Sequence, residues 1–429
     1  MKRLISLLLV LSLLLPVLAF AEMDEEELSM TEIEEDIDLD EEENEEAGEG
    51  FELSSGDEQR IEDITENYEL DTSVDPEALF LNENLPDNVL NILLIGVDAR
   101  GTKELQKLSD QMRRSDDEPK DKSVPKRSDV LIILSVNLDD FSIKLSSIAR
   151  NTFVEIPDRK NKTIIANSFG HAIYKDNVYQ SWIDTPQMCL ATVNKNFQMN
   201  IQYYVAINFF GVEEIIEALG GADIELTRAE ASAINTYLSM GTIYQKKNGE
   251  YVLDGDGKRV RLSHGKEIAS TYDNHSENRK KLDKKNGVQH LDGLQALMYA
   301  RLRHIDNDFV RTARTRHLLD ALLKSTMERI KTKELDLLDL LATFPEYMIT
   351  NLSPMDMLNV ASSVLGAVNL SDLQSASSVI SEFRIPEDGT YKYDTVNGSS
   401  VTVLKDKEAT TQSLHEFIYG RYYPTNVTD

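Results

Sequence analysis

The chain has 429 residues, 41% of them hydrophobic, and a formal net charge of −30. That length and apolar content support at least one large core, and the acidity argues against a nucleic-acid partner. A single cysteine, Cys189, excludes an intramolecular disulfide; the seven histidines form no zinc-type pattern with it. Cys189 therefore reads as a small buried helix residue.

The first residues, MKRLISLLLVLSLLLPVLAFA, join a basic start at Lys2 and Arg3 to an apolar run and small residues at Ala19 and Ala21. This is the pattern of a secretory signal peptide over 1–21, cleaved before Glu22. The run also reaches the lower limit for a spanning helix, so an uncleaved N-terminal anchor is the other reading. Both place the bulk of the protein outside the cytoplasm. Residues 22–50 hold seventeen acids and no Lys or Arg, which cannot bury enough apolar surface to fold. Residues 22–84 are read as an acidic disordered segment and linker.

Globular patterning begins near residue 85. NVLNILLIGVDAR reads as a buried strand ending at Gly96, with Asp98 and Arg100 on the loop beyond. After a polar stretch, RSDVLIILSVNLDDFSIKLSSIARNTFVEIP predicts two strands around a turn at Asp139 and Asp140, leading to Arg150. Thr185 and Pro186 mark a helix start; YYVAINF predicts a strand; GVEEIIEALGG predicts a helix stopped by Gly220 and Gly221 before the strand ADIEL. Strands and helices interleave, so the class is α/β or α+β. Residues 228–290 have a polar texture, with a hairpin expected at KKNGEYVLDGDGKRVRL and a charged loop after it, and are read as an insertion over one face. Asp254, Asp256 and Gly257 fit a hairpin turn better than a calcium loop, whose distal glutamate is missing.

HLDGLQALMYAR then predicts a helix capped near Asp292, followed by the densest basic stretch of the chain. Five arginines, Arg301, Arg303, Arg311, Arg314 and Arg316, fall within residues 299–317. Two readings stand: a dedicated anion site, most naturally for phosphate, or a basic helix face balanced by acidic neighbours. Phe309, Ala313, Leu319, Leu322, Leu323, Met327 and Ile330 recur at helical spacing as a core face, which places Arg311 and Arg314 together on another face.

These segments, in order, resemble the LytR-CpsA-Psr family of cell-wall phosphotransferases. The likeness is carried by NILLIGVDAR, RSDVLIILSVN, SIARNTFVEIP, YYVAINFFGVEEIIEALGGADIEL, HLDGLQALMYARLR and DFVRTARTRHLL, with FRIPEDGTYKYDTVNGSSVTVL and LHEFIYG near the C-terminus. The resemblance implies an α/β/α sandwich with a central mixed sheet and an apolar lipid pocket. It implies a catalytic domain over 85–335 and a C-terminal extension, 336–429, packed on the same domain. The implied activity is transfer of a glycopolymer, such as teichoic acid or capsule, from a polyprenyl-pyrophosphate carrier to peptidoglycan through a phosphodiester bond, at the membrane surface where the lipid substrate lies. Carried over by position, Arg150, Arg301, Arg303 and Arg311 would bind pyrophosphate, with Arg150 and Arg311 catalytic. Asp98 and Asp129 would be catalytic ligands of Mg2+ or Mn2+. Arg314 matches a second arginine of the last motif, for ligand contact or a structural ion pair; Arg100 and Arg127 would contact phosphate or pair with the adjacent acids. Three positions depart from the family: Asn151 for the usual aspartate, Val310 for glycine and Thr315 for glutamine. They leave open a non-catalytic protein that binds polyprenyl-linked glycans or lipids.

Overall fold

The computed structural model describes residues 74–97, 127–140, 142–169, 172–175, 178–182, 185–239, 246–247, 250–251, 281–302, 348–353, 380–396 and 398–425, with Arg60 and scattered positions between 314 and 357. Residues 1–21, read as a signal peptide, and the acidic stretch 22–50 lie outside them. Among the described residues no helix is long and apolar enough to cross a membrane.

Long uninterrupted apolar runs make strands buried on both faces. β1 (Val89–Val97), β2 (Ser128–Asn137) and β3 (Ile143–Ile148) form an antiparallel meander at the centre of a six-stranded mixed sheet. Between β2 and β3 the turn falls at Asp139 and Asp140. The Asn137 side chain accepts from Asp139 N–H, and the Asp140 side chain accepts from Ser142 N–H, both at 2.9 Å. β4 (Phe153–Val154) pairs with β5 (Thr163–Ile164), and β6 (Ala172–Lys175) with β7 (Val178–Trp182), as small hairpins. Helix α1 (Thr185–Phe197) leads to β8 (Tyr203–Asn208), which lies parallel to β1. Helix α2 (Phe209–Leu219) ends at Gly220 and Gly221, as the sequence predicts. Gly221 has φ +71, and a Cβ there would stand 2.2 Å from the Leu291 carbonyl oxygen, so only glycine fits.

β9 (Ala222–Leu226) pairs antiparallel with the later β12 (Gly287–Leu291). The stretch read as an insertion opens with a packed helix, α3 (Arg228–Ser239), whose Ala231, Ile234 and Leu238 are buried. Its hairpin pairs β10 (Lys246–Lys247) with β11 (Glu250–Tyr251), N-terminal to the expected turn at Asp254–Gly257, which lies outside the described residues. After β12 comes α4 (Gly293–Ala300). β13 (Met348–Thr350) closes one edge of the sheet on β8, and β14 (Ile380–Ile385) closes the other, parallel to β3. A hairpin, β15 (Tyr391–Val396) and β16 (Ser399–Leu404), and helix α5 (Lys407–Tyr419) follow.

Alternate residues of the sheet serve two cores. Leu93, Ile95, Leu131, Ile133, Tyr204 and Ala206 form one cluster with Leu190, Val193 and Phe197 of α1 and with Leu414 and Ile418 of α5. Ile92, Leu94, Ile132, Leu134, Val205 and Ile207 alternate with them along the strands and are equally buried, so both faces are covered. The result is a mixed α/β fold built on a central mixed sheet. Packing begins at Val74, before the boundary read at residue 85. Leu79 is fully buried in the first core, and Asn82 donates to the Gln198 and Tyr423 carbonyls. The apolar residues here cluster at Leu79, Phe80 and Leu81 instead of recurring at a helix or strand spacing, so the sequence marks no element before residue 85.

Candidate functional site

Asp129 and Arg150 meet at one end of the sheet. β1 and β2 run in register to Gly96 opposite Val130, after which Val97 pairs with Ser128. Asp129 is the extra residue of this β-bulge, a device that re-aims a side chain at a sheet's end. On its other side β2 pairs with β3 down to Leu131 opposite Ile148, two residues short of Arg150. The Arg150 guanidinium donates to Asp129 Oδ1 at 2.9 Å, with side-chain exposures of 43% and 15%. A pair this open adds little stability; its consequence is orientation.

The turn that carries Arg150 is tied on every side. Ala149 N–H donates to the Ile385 carbonyl (2.8 Å), Ala166 N–H to the Arg150 carbonyl (3.1 Å), Thr402 N–H to the Asn151 carbonyl (2.9 Å) and Ile165 N–H to the Thr152 carbonyl (2.8 Å). The Thr152 hydroxyl closes the turn by donating to the Ala149 carbonyl at 2.7 Å. Strand β14, the 165–166 turn and β16 thus fix the backbone from which Arg150 projects. Arg127, one residue before β2, is exposed. Asp98 and Arg100, which follow Val97 in the chain, lie outside the described residues.

Arg301 is the C-cap of α4, where a cation faces the negative end of the helix dipole. At the other end Asp292 caps the helix as the sequence predicts, in a reciprocal box with Gln295. Gly293 sits so close to α2 that a Cβ would lie 2.2 Å from the Glu213 carbonyl oxygen. Arg303, Arg311 and Arg316 lie outside the described residues, with Val310 and Thr315.

Arg314 has a different environment from the one its helical position suggested. It lies with Leu318, Leu322 and Thr326 on a buried stripe at four-residue spacing and is 4% exposed, so it belongs to the core side. The reason is Glu230, whose Oε1 accepts from Arg314 Nε at 2.7 Å. Glu230 Oε2 accepts from the backbone N–H and hydroxyl of Thr227, both at 2.9 Å. Of the two roles left open for Arg314, the geometry displays the structural ion pair. Burial pushes the Glu230 carboxyl up, but the hydrogen bonds from Arg314 and Thr227 outweigh it and hold the group below the ordinary value. Tyr299, buried beside the pair, has its hydroxyl pKa raised by burial and by the Glu230 charge. Glu230 was missed in the sequence, although Thr227 followed three residues later by Glu230 is a capping-box signature.

Cys189 is fully buried against the Ser168 hydroxyl, and burial pushes its thiol up to about 12. It is an inert packing residue.

The frame is therefore a two-faced α/β sheet that presents an acid and an arginine from adjoining strand ends. The LytR_cpsA_psr family model matches residues 55–411, and the chain belongs to that family. Among curated relatives, the polyisoprenyl-teichoic acid–peptidoglycan teichoic acid transferase TagU of Halalkalibacterium halodurans is 29% identical over 206 residues, 47% of this chain and 48% of that protein. TagU of Enterococcus faecalis is 25% identical over 255 residues, 58% of this chain and 63% of that protein. The chain thus spans about half to two thirds of the length of these relatives. The crystal structure of B. subtilis TagV aligns with a TM-score of 0.44 at 20% identity, covering 79% of this chain and all of that one.

Proposed function

We propose that the protein is an extracytoplasmic phosphotransferase that moves a glycopolymer, of teichoic acid or capsule type, from a polyprenyl-pyrophosphate carrier to peptidoglycan. The observation that supports this reading most directly is the Asp129–Arg150 pair on its fixed turn, within a chain whose family relatives are teichoic acid transferases. A peptidoglycan hydroxyl attacks the phosphorus that bears the glycan. The bond from that phosphorus to the bridging oxygen breaks, polyprenyl phosphate leaves, and the hydroxyl proton passes to solvent or to the leaving phosphate.

Such a reaction spreads negative charge over phosphoryl oxygens, and preorganised cations stabilise it. Arg150, still 43% exposed beside Asp129, can place a guanidinium N–H on a pyrophosphate oxygen without rebuilding its backbone. Arg301, Arg303 and Arg311 are assigned to the remaining pyrophosphate oxygens. Asp98 and Asp129 are assigned to a magnesium or manganese ion; their donor chemistry fits, because these hard cations take carboxylate and phosphate oxygens and keep waters. When bound, that ion neutralises charge on the pyrophosphate. Glu230 and Arg314 hold α3 against the helical stretch around Arg314 and Leu318. An apolar pocket for the lipid tail and a secreted or membrane-anchored location belong to the same reading.

The test is release of polyprenyl phosphate when the purified protein meets a lipid-linked glycan, peptidoglycan fragments and magnesium. Release that depends on the acceptor supports transfer. Tight lipid-pyrophosphate binding with no release supports the binding-protein reading, which Asn151 in place of the family's usual aspartate favours.

A further inference from the structure

The hairpin β15–β16 rises beside the Arg150 turn. β16 lies against that turn, through the Thr402 N–H bond to the Asn151 carbonyl and a parallel bridge between Thr402 and Thr152. On its far side β15 places Tyr393 opposite Thr402 and Tyr391 opposite Leu404. Neighbouring strands stand about 4.8 Å apart, so the backbone of Tyr393 lies roughly 10 Å from the segment that carries Arg150.

Tyr391 and Tyr393 are two apart on one strand and share a face. Their ring centroids are 5.3 Å apart at 81°, an edge-to-face contact that steadies both rings. Tyr393 nevertheless remains 53% exposed. Its exposed neighbours on the hairpin, Lys392, Asp394, Thr395, Ser399 and Ser400, are polar or charged. Arg384 of the adjoining β14, in register with Ser147, adds a cation near the same end of the sheet.

We propose that Tyr393, steadied by Tyr391, is a stacking platform for a pyranose ring of the glycan carried on the polyprenyl pyrophosphate, and so helps to select the donor. The inference rests on the phosphotransferase reading. A pyrophosphate held at Arg150 fixes the sugars joined to it, and the hairpin, roughly 10 Å away, lies within reach of a short saccharide. The C–H face of a pyranose packs on an aromatic face while its hydroxyls stay in water, as an exposed tyrosine on a rigid strand allows. The acceptor, by contrast, has no covalent link to the anchored group.

The test is calorimetric binding of the full chain to farnesyl pyrophosphate and to the same carrier bearing an N-acetylhexosamine disaccharide. Arg150→Ala should weaken both ligands. Tyr393→Ala should weaken the glycosylated ligand about fivefold, the scale of one aromatic stacking contact, and leave the bare one unchanged; Tyr393→Phe should keep most of the affinity. If Tyr393→Ala changes neither ligand, or both equally, the platform is refuted and the phosphotransferase reading stands. If wild type binds neither ligand, both fall. If Tyr393→Ala instead weakens only a peptidoglycan disaccharide fragment, the donor assignment is wrong.

Discussion

Glu230→Gln keeps the volume and a hydrogen-bond acceptor but removes the negative charge that Arg314 faces. Arg314 is 4% exposed and the Glu230 side chain 11%, so the variant keeps a buried guanidinium but removes the carboxylate charge that Arg314 Nε faces. Removing one partner of such a pair costs about 3–5 kcal/mol. Glutamine still accepts from Arg314 Nε or Thr227, which places this variant near the lower end; Glu230→Ala also loses the bonds that Glu230 Oε2 accepts from Thr227, for about 1 kcal/mol more, while the Thr227 hydroxyl still accepts from the residue 230 N–H. The assay is urea unfolding followed by far-UV circular dichroism at neutral and acid pH. The native carboxyl titrates below its ordinary 4.5. Its stabilisation is therefore complete above that value and is lost as pH falls through the lower folded value. The stability gap between wild type and Glu230→Gln should accordingly narrow below pH 4.5. A loss under about 1 kcal/mol at neutral pH would refute the buried-pair argument. So would an Arg314→Met variant of native stability that no longer binds pyrophosphate, because Arg314 would then be a ligand residue.

Asp98→Ala or Asp129→Ala should abolish transfer while the urea midpoint stays near wild type; transfer in EDTA at the native rate by both variants would remove the metal assignment. Arg301→Ala or Arg311→Ala should weaken polyprenyl-pyrophosphate binding about tenfold or more, the value of one charge-assisted contact, and Arg316→Ala much less. Equal losses in all three would point to a diffuse basic face. Burial holds the His415 imidazole below its ordinary 6.5, with Nε2 3.0 Å from the Phe197 carbonyl and Nδ1 accepting from Tyr423 N–H at 3.3 Å. Its share of stability is present above 6.5 and lost as pH falls through the lower folded value; a urea midpoint equally pH-dependent in His415→Gln would contradict this. Asn151→Asp should change turnover less than about tenfold if this position orients Arg150, and by 10² to 10⁴ if it houses the base, as general-base help is worth. A native protein that binds without turnover and is rescued by the aspartate decides for the base.

Which features were legible follows from the range of the forces that set them. Asp292, Gly220 and Gly221 act within a turn of their helices, and capping chemistry is written in adjacent residues. Arg314 could not be placed that way. A helical period assigns a lone arginine to the surface, and what draws it inward is Glu230, 84 residues away in the chain. Desolvating a guanidinium is unfavourable until its partner is known, so local pattern and tertiary structure disagree at that residue. Residues 74–84 were misjudged for the converse reason. Leu79 packs into a core assembled from distant strands, while its own neighbourhood carries no period.

The Asp129–Arg150 contact, by contrast, is a local consequence of one turn. A hairpin that turns between Asp139 and Asp140 sets residues equidistant from that point opposite each other, and Leu131 does face Ile148. Continued by two residues, the same pairing brings Asp129 opposite Arg150, where opposite charges on adjacent strands attract. The hairpin alone therefore delivers the pair. What local pattern did not contain is the slip against β1, where Val97 meets Ser128 and Asp129 becomes the bulged residue. That slip depends on pairing across the intervening polar stretch, and it settles how the carboxylate is presented beyond the last rung of the sheet. Moving the turn by one residue would shift every pair on β2 and β3 together. The geometry of the proposed site is thus bound to the same register that keeps Leu131, Ile133 and Ile148 in the core, and it cannot drift without unpacking them.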